Sequence, residues 1–578
     1  MEHNIPLAVS DHAGPLFRKM FPDSTIAKKY SCARTKTTAV LNGAMAPDMI
    51  LSLVDLMKAE PFSVNVDGSN DNDLLKMYPL CVRIFDINRG RVCLRFLDMC
   101  ATSVSTADGI FTKLDETLTK HGLDWSRCVG FSVDNTNVNV GKRNSIMTRV
   151  LQINESVYFM GCPCHIIHNC ASHSSKAFAK ALKFDVGDLA VDVFFWFDYS
   201  TKRKNLLAEF CQFCDIEYRK IIKYMSVRWL NLETVVERLL KQYVALKSYF
   251  ESETESGQSR LARLQSRFSD PMTEVYLMFY QAVLPMFTSV NLMLQRDAPM
   301  VYLVRESLFS LLRKTMGKFI RSELLTVEDE KLVLINMSPE NQLEANKLFI
   351  GFATKQLLTR LAVDTIGQRE IGNFYSGVRN FYTTAISYML KNFPLDHQVL
   401  IHASFCNFDS RMTADISSVE FFINRYPAFF TNLNLDDLHD EVVAYKTAPC
   451  LPAAVLKSAT VTENNSKEEY LRMDVVWDHL SKAKDVSGNL KFPIISKVAI
   501  LVLTIPHSNA DAERVFSIIG KNKIKSRADL AIEGTLASLT TCKVNQFFEI
   551  PCYQFKPSKE MLEKAKKATW EYNKTHQT

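Results

Sequence analysis

The sequence lacks any apolar run near the ~18 uninterrupted residues of a membrane-spanning helix, since Lys, Asp or Pro breaks its longest ones. No membrane partner is therefore expected. The N-terminus has no basic stretch leading into an apolar one, so no signal peptide is expected either. The 14 cysteines lack the even spacing of a secreted disulfide scaffold, which predicts an intracellular chain with reduced thiols. Charge of one sign is also missing: 69 Lys and Arg face 63 Asp and Glu, for a net +6. Any contact with nucleic acid must then come from local basic patches. With only 19 Gly and 19 Pro, and 47% hydrophobic residues, wholesale disorder is excluded. No repeat of fixed period is present. A length of 578 residues allows about two to four domains.

Short apolar runs bounded by Gly, Asn or Asp predict strands at 62–67 (FSVNVD), 78–86, 91–99, 128–134 (CVGFSVD) and 157–162. INRG at 87–90 reads as a hairpin turn, and 105–121 as a helix with Ser or Thr at its N-cap. The order β-β-β-α-β-α-β predicts an RNase H-like sheet with its first and fourth strands side by side. Asp67 and Asp134 would then end neighbouring strands. After 163 the pattern is helical for over 300 residues, with polar breaks at 251–259 and 457–469.

Near the C-terminus, IPHSNADAERVFSIIGKNKIKSR (505–527) predicts an amphipathic helix carrying Glu513, followed by Lys521, Lys523, Lys525 and Arg527. Two aspartates and a glutamate are the hard oxygen ligands that divalent ions need for phosphoryl transfer. Asp67, Asp134 and Glu513 are therefore candidate catalytic and metal-binding residues, for Mg²⁺ or Mn²⁺. Asp also favours turns after strands, so a purely structural role is the competing reading. The basic strip is a candidate DNA-phosphate contact or a solvated helix end. Cys162, Cys164, His165, His168, Cys170 and His173 crowd one junction, with Cys211 and Cys214 further on, but their spacing matches no known zinc finger.

CVGFSVDNTNVNVG (128–141), GCPCHIIH (161–168), SVRWLNLETVVERLL (226–240) and FPIISKVAILVLTIPHSNADAERVFS (492–517) resemble, in order, successive blocks of the hAT (hobo/Activator/Tam3) transposase superfamily. The resemblance spans roughly residues 60–545, and the last block, similar to the family's C-terminal dimerisation signature, is the most specific. It implies an α/β fold, an RNase H-like mixed sheet interrupted by a large all-α insertion and completed by a C-terminal helical dimerisation segment. The expected division is an N-terminal helical, basic segment at 1–58 and the first part of the core at 59–184. An α-helical insertion at 185–480, core completion with the dimerisation region at 481–550 and a basic tail at 551–578 follow.

Residue by residue, the resemblance maps the Asp-Asp-Glu set to Asp67, Asp134 and Glu513. It makes Cys162 and His165 a Cys-x-x-His motif near the DNA, and Arg228–Trp229 a pair in which Trp stacks on a displaced base. The implied activity is metal-dependent DNA cleavage and strand transfer in a homo-oligomer, in the nucleus, with DNA and no small molecule as substrate. TKRKN (201–205) is too short to establish the nuclear address by itself. Three departures stand out. The BED-type zinc finger common in the family is absent, Asp71 and Asp73 rival Asp67, and His168 replaces a frequent Asn. The missing finger points to a truncated or host-adopted copy, so a catalytically silent, dimerising DNA-binding regulator is the alternative function.

Overall fold

Five strands form one mixed sheet: β1 (Phe62–Val66), β2 (Lys76–Asp86), β3 (Arg91–Thr102), β4 (Cys128–Val133) and β5 (Tyr158–Gly161), in the order β3-β2-β1-β4-β5. The first three are antiparallel neighbours, while β1–β4 and β4–β5 are parallel. This is the expected order, with the first and fourth strands adjacent. The computed structural model describes residues 2–68, 75–225, 230–254, 259–431, 433–463, 468–524, 530–548 and 550–576.

The chain divides into two compact units. One comprises Met1–Cys162, Gln295–Val304 and Asp396–Thr578, and holds the sheet; the other comprises Pro163–Leu294 and Arg305–Leu395. The helical unit thus starts at Pro163 instead of 185, because the helix Pro163–Leu182 packs along Gln368–Asn392 in that unit. It ends at Leu395 instead of 480, because the helices after it, including Met473–Ser481, pack within the sheet-bearing unit. Phe178 anchors the helical unit, its ring stacked at 5.2 Å on Phe279 and edge-on to Tyr280 at 5.5 Å.

The two faces of the sheet differ in kind. Val64 and Val66 of β1, Leu80, Val82 and Ile84 of β2, and Phe131 and Val133 of β4 form one apolar core. Helix Ala107–Lys120 buries Ile110, Leu114 and Leu118 in it at four-residue spacing, capped by Thr106, whose hydroxyl accepts from Gly109 N–H at 3.2 Å. Helix Ala46–Ala59 adds Leu53, Val54 and Met57 to the same core, so the core begins before residue 59. The other face packs on helix Ala510–Asn522 through Cys81, Phe96, Val515, Ile518 and Ile519.

The edge strand β3 is closed by side chains from the end of the chain. Asn545 bonds the Phe96 backbone twice, accepting from its N–H at 2.7 Å and donating to its carbonyl at 3.0 Å. Asp474 accepts from Val92 N–H at 2.8 Å, and Arg472 donates to the Val92 carbonyl at 3.2 Å. These bonds occupy groups that an open edge would offer to another strand.

Several expectations need correction. Residues 559–576 form a helix, not a tail; it buries Met561 and Ala568. The helix Ala510–Asn522 takes in Lys521 of the basic strip and ends before Lys523. Two helices, Arg34–Ala59 and Met272–Leu294, do pass a length-and-hydropathy test for a membrane span. Each packs within its own unit, Met272–Leu294 burying Leu277, Tyr280, Leu284 and Phe287.

The Arg472–Asp474 pair yields a test. Arg472 donates to Asp474 at 2.8 Å and to Asp297 at 3.0 Å while only 4% exposed, and Asp474 is fully buried. Asp474→Ala should destabilise the sheet-bearing unit by about 3–5 kcal/mol, since it leaves a buried guanidinium underpaired. The double change Arg472→Met/Asp474→Leu should recover much of that loss. Urea unfolding of the three proteins checks the order.

Candidate active site

The parallel register pairs Asn65 with Ser132. Carried two residues further, it sets Asp67 and Asp134 at matched positions just past the ends of β1 and β4, on strands about 4.8 Å apart. The chain segment before helix Ala510–Asn522 is fastened to the same ends. Asn509 donates through Nδ2 to the Val66 carbonyl at 3.1 Å, and its N–H donates to Cys162 Sγ at 3.3 Å. Asn65 donates in turn to the Ser508 carbonyl at 3.4 Å. Glu513 stands one turn into the helix, its N–H bonded to the Asn509 carbonyl at 3.3 Å, where the helix dipole favours an acid. Asp67, Asp134 and Glu513 are all half-buried.

The structure thus brings the three carboxylates to one end of the sheet, but not into one cluster. Among the described residues, no three His, Cys, Asp or Glu side chains stand close enough to hold a metal ion. Asp134 Oδ1 accepts from Thr136 N–H at 3.1 Å, from its hydroxyl at 2.8 Å and from Asn139 Nδ2 at 2.5 Å. That carboxylate therefore leans toward the following turn. Its charge helps raise the Tyr78 phenol, after burial; burial likewise raises the Cys81 thiol, with the charges of Asp511 and then Asp67 adding to it. The rival acids Asp71 and Asp73 lie outside the described residues, as do Arg228, Trp229, Lys525 and Arg527. Lys521 is in the last turn of the helix, two turns from Glu513, and Lys523 follows its end.

Residues 463–540 match the model for the hAT family C-terminal dimerisation region, and residues 27–142 match the ZMYM1/FAM200 RNase-like domain. Both matches support a hAT-family transposase or a protein derived from one. The first match covers the segment that carries Asn509 and Glu513; the second covers β1 through β4 with both aspartates. Its start at residue 27 agrees with the early helix Ala46–Ala59 belonging to the core.

Beneath the hAT C-terminal segment lies a polar layer that the sequence reading missed. Ser63, Asn65, Arg83 and Ser132 are all at most 2% exposed. Register pairs Ser63 with Arg83 and with Gly130, and Asn65 with Ser132, so the four share one face. Arg83 donates to Asp511 Oδ2 at 2.5 Å, and Arg514 bonds the other Asp511 oxygen. Burial alone would raise the Asp511 carboxyl, but the Arg83 and Arg514 charges outweigh it and hold it below its ordinary range. His507 is pushed down to about 3, by burial first and then by Arg83, and accepts from Met300 N–H at Nδ1. A signal was readable: polar residues at alternate positions of otherwise apolar strands.

The Cys-x-x-His motif is split between the units. Cys162 is buried in the sheet-bearing unit, its sulfur enclosed against Asn509 N–H. His165 stands on the first turn of Pro163–Leu182 in the helical unit, half-buried. No cysteine is in a disulfide.

The His507 site sets a pH dependence. A folded value near 3, against about 6.5 unfolded, favours the neutral ring, so its contribution is complete above pH 6.5 and falls as the pH drops toward 3. Asp511 acts only below its own unfolded value near 4, outside that upper window. Between pH 7.5 and 5.0, His507→Asn should lose about 2 kcal/mol less stability than the wild type, at roughly 1.4 kcal/mol per pH unit. Urea unfolding at both pH values checks this; equal losses would contradict it.

Proposed function

We propose that this hAT-family chain cleaves DNA phosphodiesters and transfers the freed strand at the ends of β1 and β4. The observation that supports the reading is the register match of Asp67 with Asp134, together with the Asn509 bonds that seat the Glu513 helix at the same strand ends. Asp67, Asp134 and Glu513 would hold Mg²⁺ or Mn²⁺, which supplies Lewis acidity and an activated water or 3′-hydroxyl. The donor set suits a hard cation. The buried Asn509 Oδ1, without a hydrogen-bond partner among the described residues, adds a further oxygen beside it. Thr136 and Asn139 orient Asp134 through Oδ1, and Asn509 holds the Glu513 helix to Val66. DNA contacts by Arg228, Trp229, Lys521, Lys523, Lys525 and Arg527, and residence in the nucleus, belong to the same proposal.

A second reading has its own support, since the three acids are not gathered into a metal group. On that reading the chain keeps the fold and the dimerising region as a DNA-binding regulator without chemistry.

Plasmid nicking with Mg²⁺ or Mn²⁺ separates the two. Asp67→Asn, Asp134→Asn and Glu513→Gln should each lower cleavage by about 100-fold or more with an unchanged melting temperature. Mn²⁺ binding, followed by electron paramagnetic resonance, should weaken in parallel. A wild-type protein that neither nicks DNA nor binds Mn²⁺ would leave the second reading in place.

A further inference from the structure

The TKRKN run opens helix Thr201–Phe213 in the helical unit, and the fold aims its cations one by one. Lys204 Nζ donates to the Asp198 carbonyl at 2.6 Å. Arg203 sits over the Trp196 ring, 3.5 Å from its centre, and donates to the Trp196 carbonyl at 3.2 Å. A guanidinium carbon that close requires the group to lie roughly parallel to the ring, since an edge-on nitrogen would clash. Its second face is therefore presented away from Trp196, which is itself 1% exposed. Lys202 stands in solvent.

These side chains wall a cavity of about 480 Å³, together with Phe195, Tyr199 and Glu253. That volume is in the range of small-molecule sites, about 300–1,000 Å³. Tyr199 occupies the turn between helices Val186–Phe197 and Thr201–Phe213 and is 88% exposed.

The lining sorts by chemistry. Arg203 and Tyr199 offer flat surfaces of the kind on which a conjugated ring stacks. Lys202 offers a compact point charge for a phosphate. Glu253, directly after helix Tyr243–Ser252, is a carboxylate acceptor for N–H groups of such a ring.

We propose that this cavity binds one free nucleotide, its base stacked on Arg203 and Tyr199, its base N–H groups on Glu253 and its phosphate on Lys202. A nucleic-acid strand needs a cationic groove that continues along its backbone. Here the same cavity holds Glu253, whose charge would repel the next phosphate. An acidic peptide would use the two cations but leave Glu253 and the flat surfaces unanswered. The proposal concerns the helical unit alone and is independent of the chemistry at the Asp67–Asp134 end.

Photolabelling of the full chain with the 8-azido forms of AMP and GMP tests it, with the labelled peptide located by mass spectrometry. At least one of the two should label the peptide that carries Tyr199, and the unmodified nucleotide should compete. Isothermal titration calorimetry with that nucleotide should then show binding that Tyr199→Ala and Lys202→Glu each weaken about tenfold or more. Both side chains are exposed, so the melting temperature should hold. Absence of label from that peptide with both probes would overturn the proposal. So would undiminished labelling of Lys202→Glu, or ribose 5-phosphate competing as well as the nucleotide. Competition by a single-stranded oligonucleotide but not by the free nucleotide would overturn it as well.

Discussion

The buried ion pair between Arg83 and Asp511 is the constraint from which the rest of the sheet-bearing unit follows. A guanidinium 2% exposed at the middle of a central strand is tolerable only if a carboxylate reaches it, and the nearest in sequence, Asp86, pairs with Arg89 and Arg95 instead. The carboxylate arrives from 428 residues away, on the first turn of Ala510–Asn522. Hence the sheet is incomplete until the C-terminal segment has folded back over it. Ser63, Asn65 and Ser132 extend the same demand along β1 and β4. An apolar helix laid on that face would leave Asn65 Nδ2 and Arg83 without partners, whereas the C-terminal segment supplies the Ser508 carbonyl to one and the Asp511 carboxylate to the other; the Ser63 and Ser132 hydroxyls stay buried without a partner among the described residues. Asn65 and Arg83 therefore fix where the segment sits, through Ser508 and Asp511.

That seating also sets the candidate site. Asn509 cannot bond Val66 and Cys162 without placing the next turn, and Glu513 with it, beside the strand ends. Gly130 supports the close approach: a Cβ there would meet Pro506 at 2.6 Å and Ser63 Oγ at 2.8 Å. A residue with a side chain at 130 would lift the segment from β4. The chemistry proposed for the acids thus rests on bonds made by residues that carry no charge.

Much of this was legible in the sequence, and the reason differs by element. The five strands were readable because each is short, apolar and bounded by turn formers, and their order alone predicted that β1 and β4 lie side by side. The aspartates followed from that adjacency. Glu513 did not: nothing in local periodicity ties residue 513 to residue 67, and only family resemblance linked them. The helical stretch from 163 onward was readable as helix but not as two destinations. Helical periodicity reports an apolar stripe, not the surface it will cover, so 396–481 could not be separated from the helices before it. The polar layer was missed because FSVNVD was read for its final aspartate, although Ser63 and Asn65 already marked a face that needed polar cover.

The same logic bears on the dimerisation region. Its apolar residues between 494 and 503 present more apolar surface than one side of a helix needs. The sheet-bearing unit takes nearly all of it, because the Pro493–Thr504 helix runs between the strands and the helices after 396 and is buried by both. A helix covered in this way leaves one edge open, where Ile500 and Leu501 border a groove with Ile87, Phe429, Phe430 and Leu490. The two ends of one short stretch are therefore committed differently, with residues 505–513 facing the polar layer and the strand ends, and residues between Leu490 and Leu501 bordering that groove. A change in the polar layer that shifted the first would also shift the second, because the two helices are joined by the five residues from Ile505 to Asn509 and two of those, Ser508 and Asn509, are pinned to β1 by hydrogen bonds.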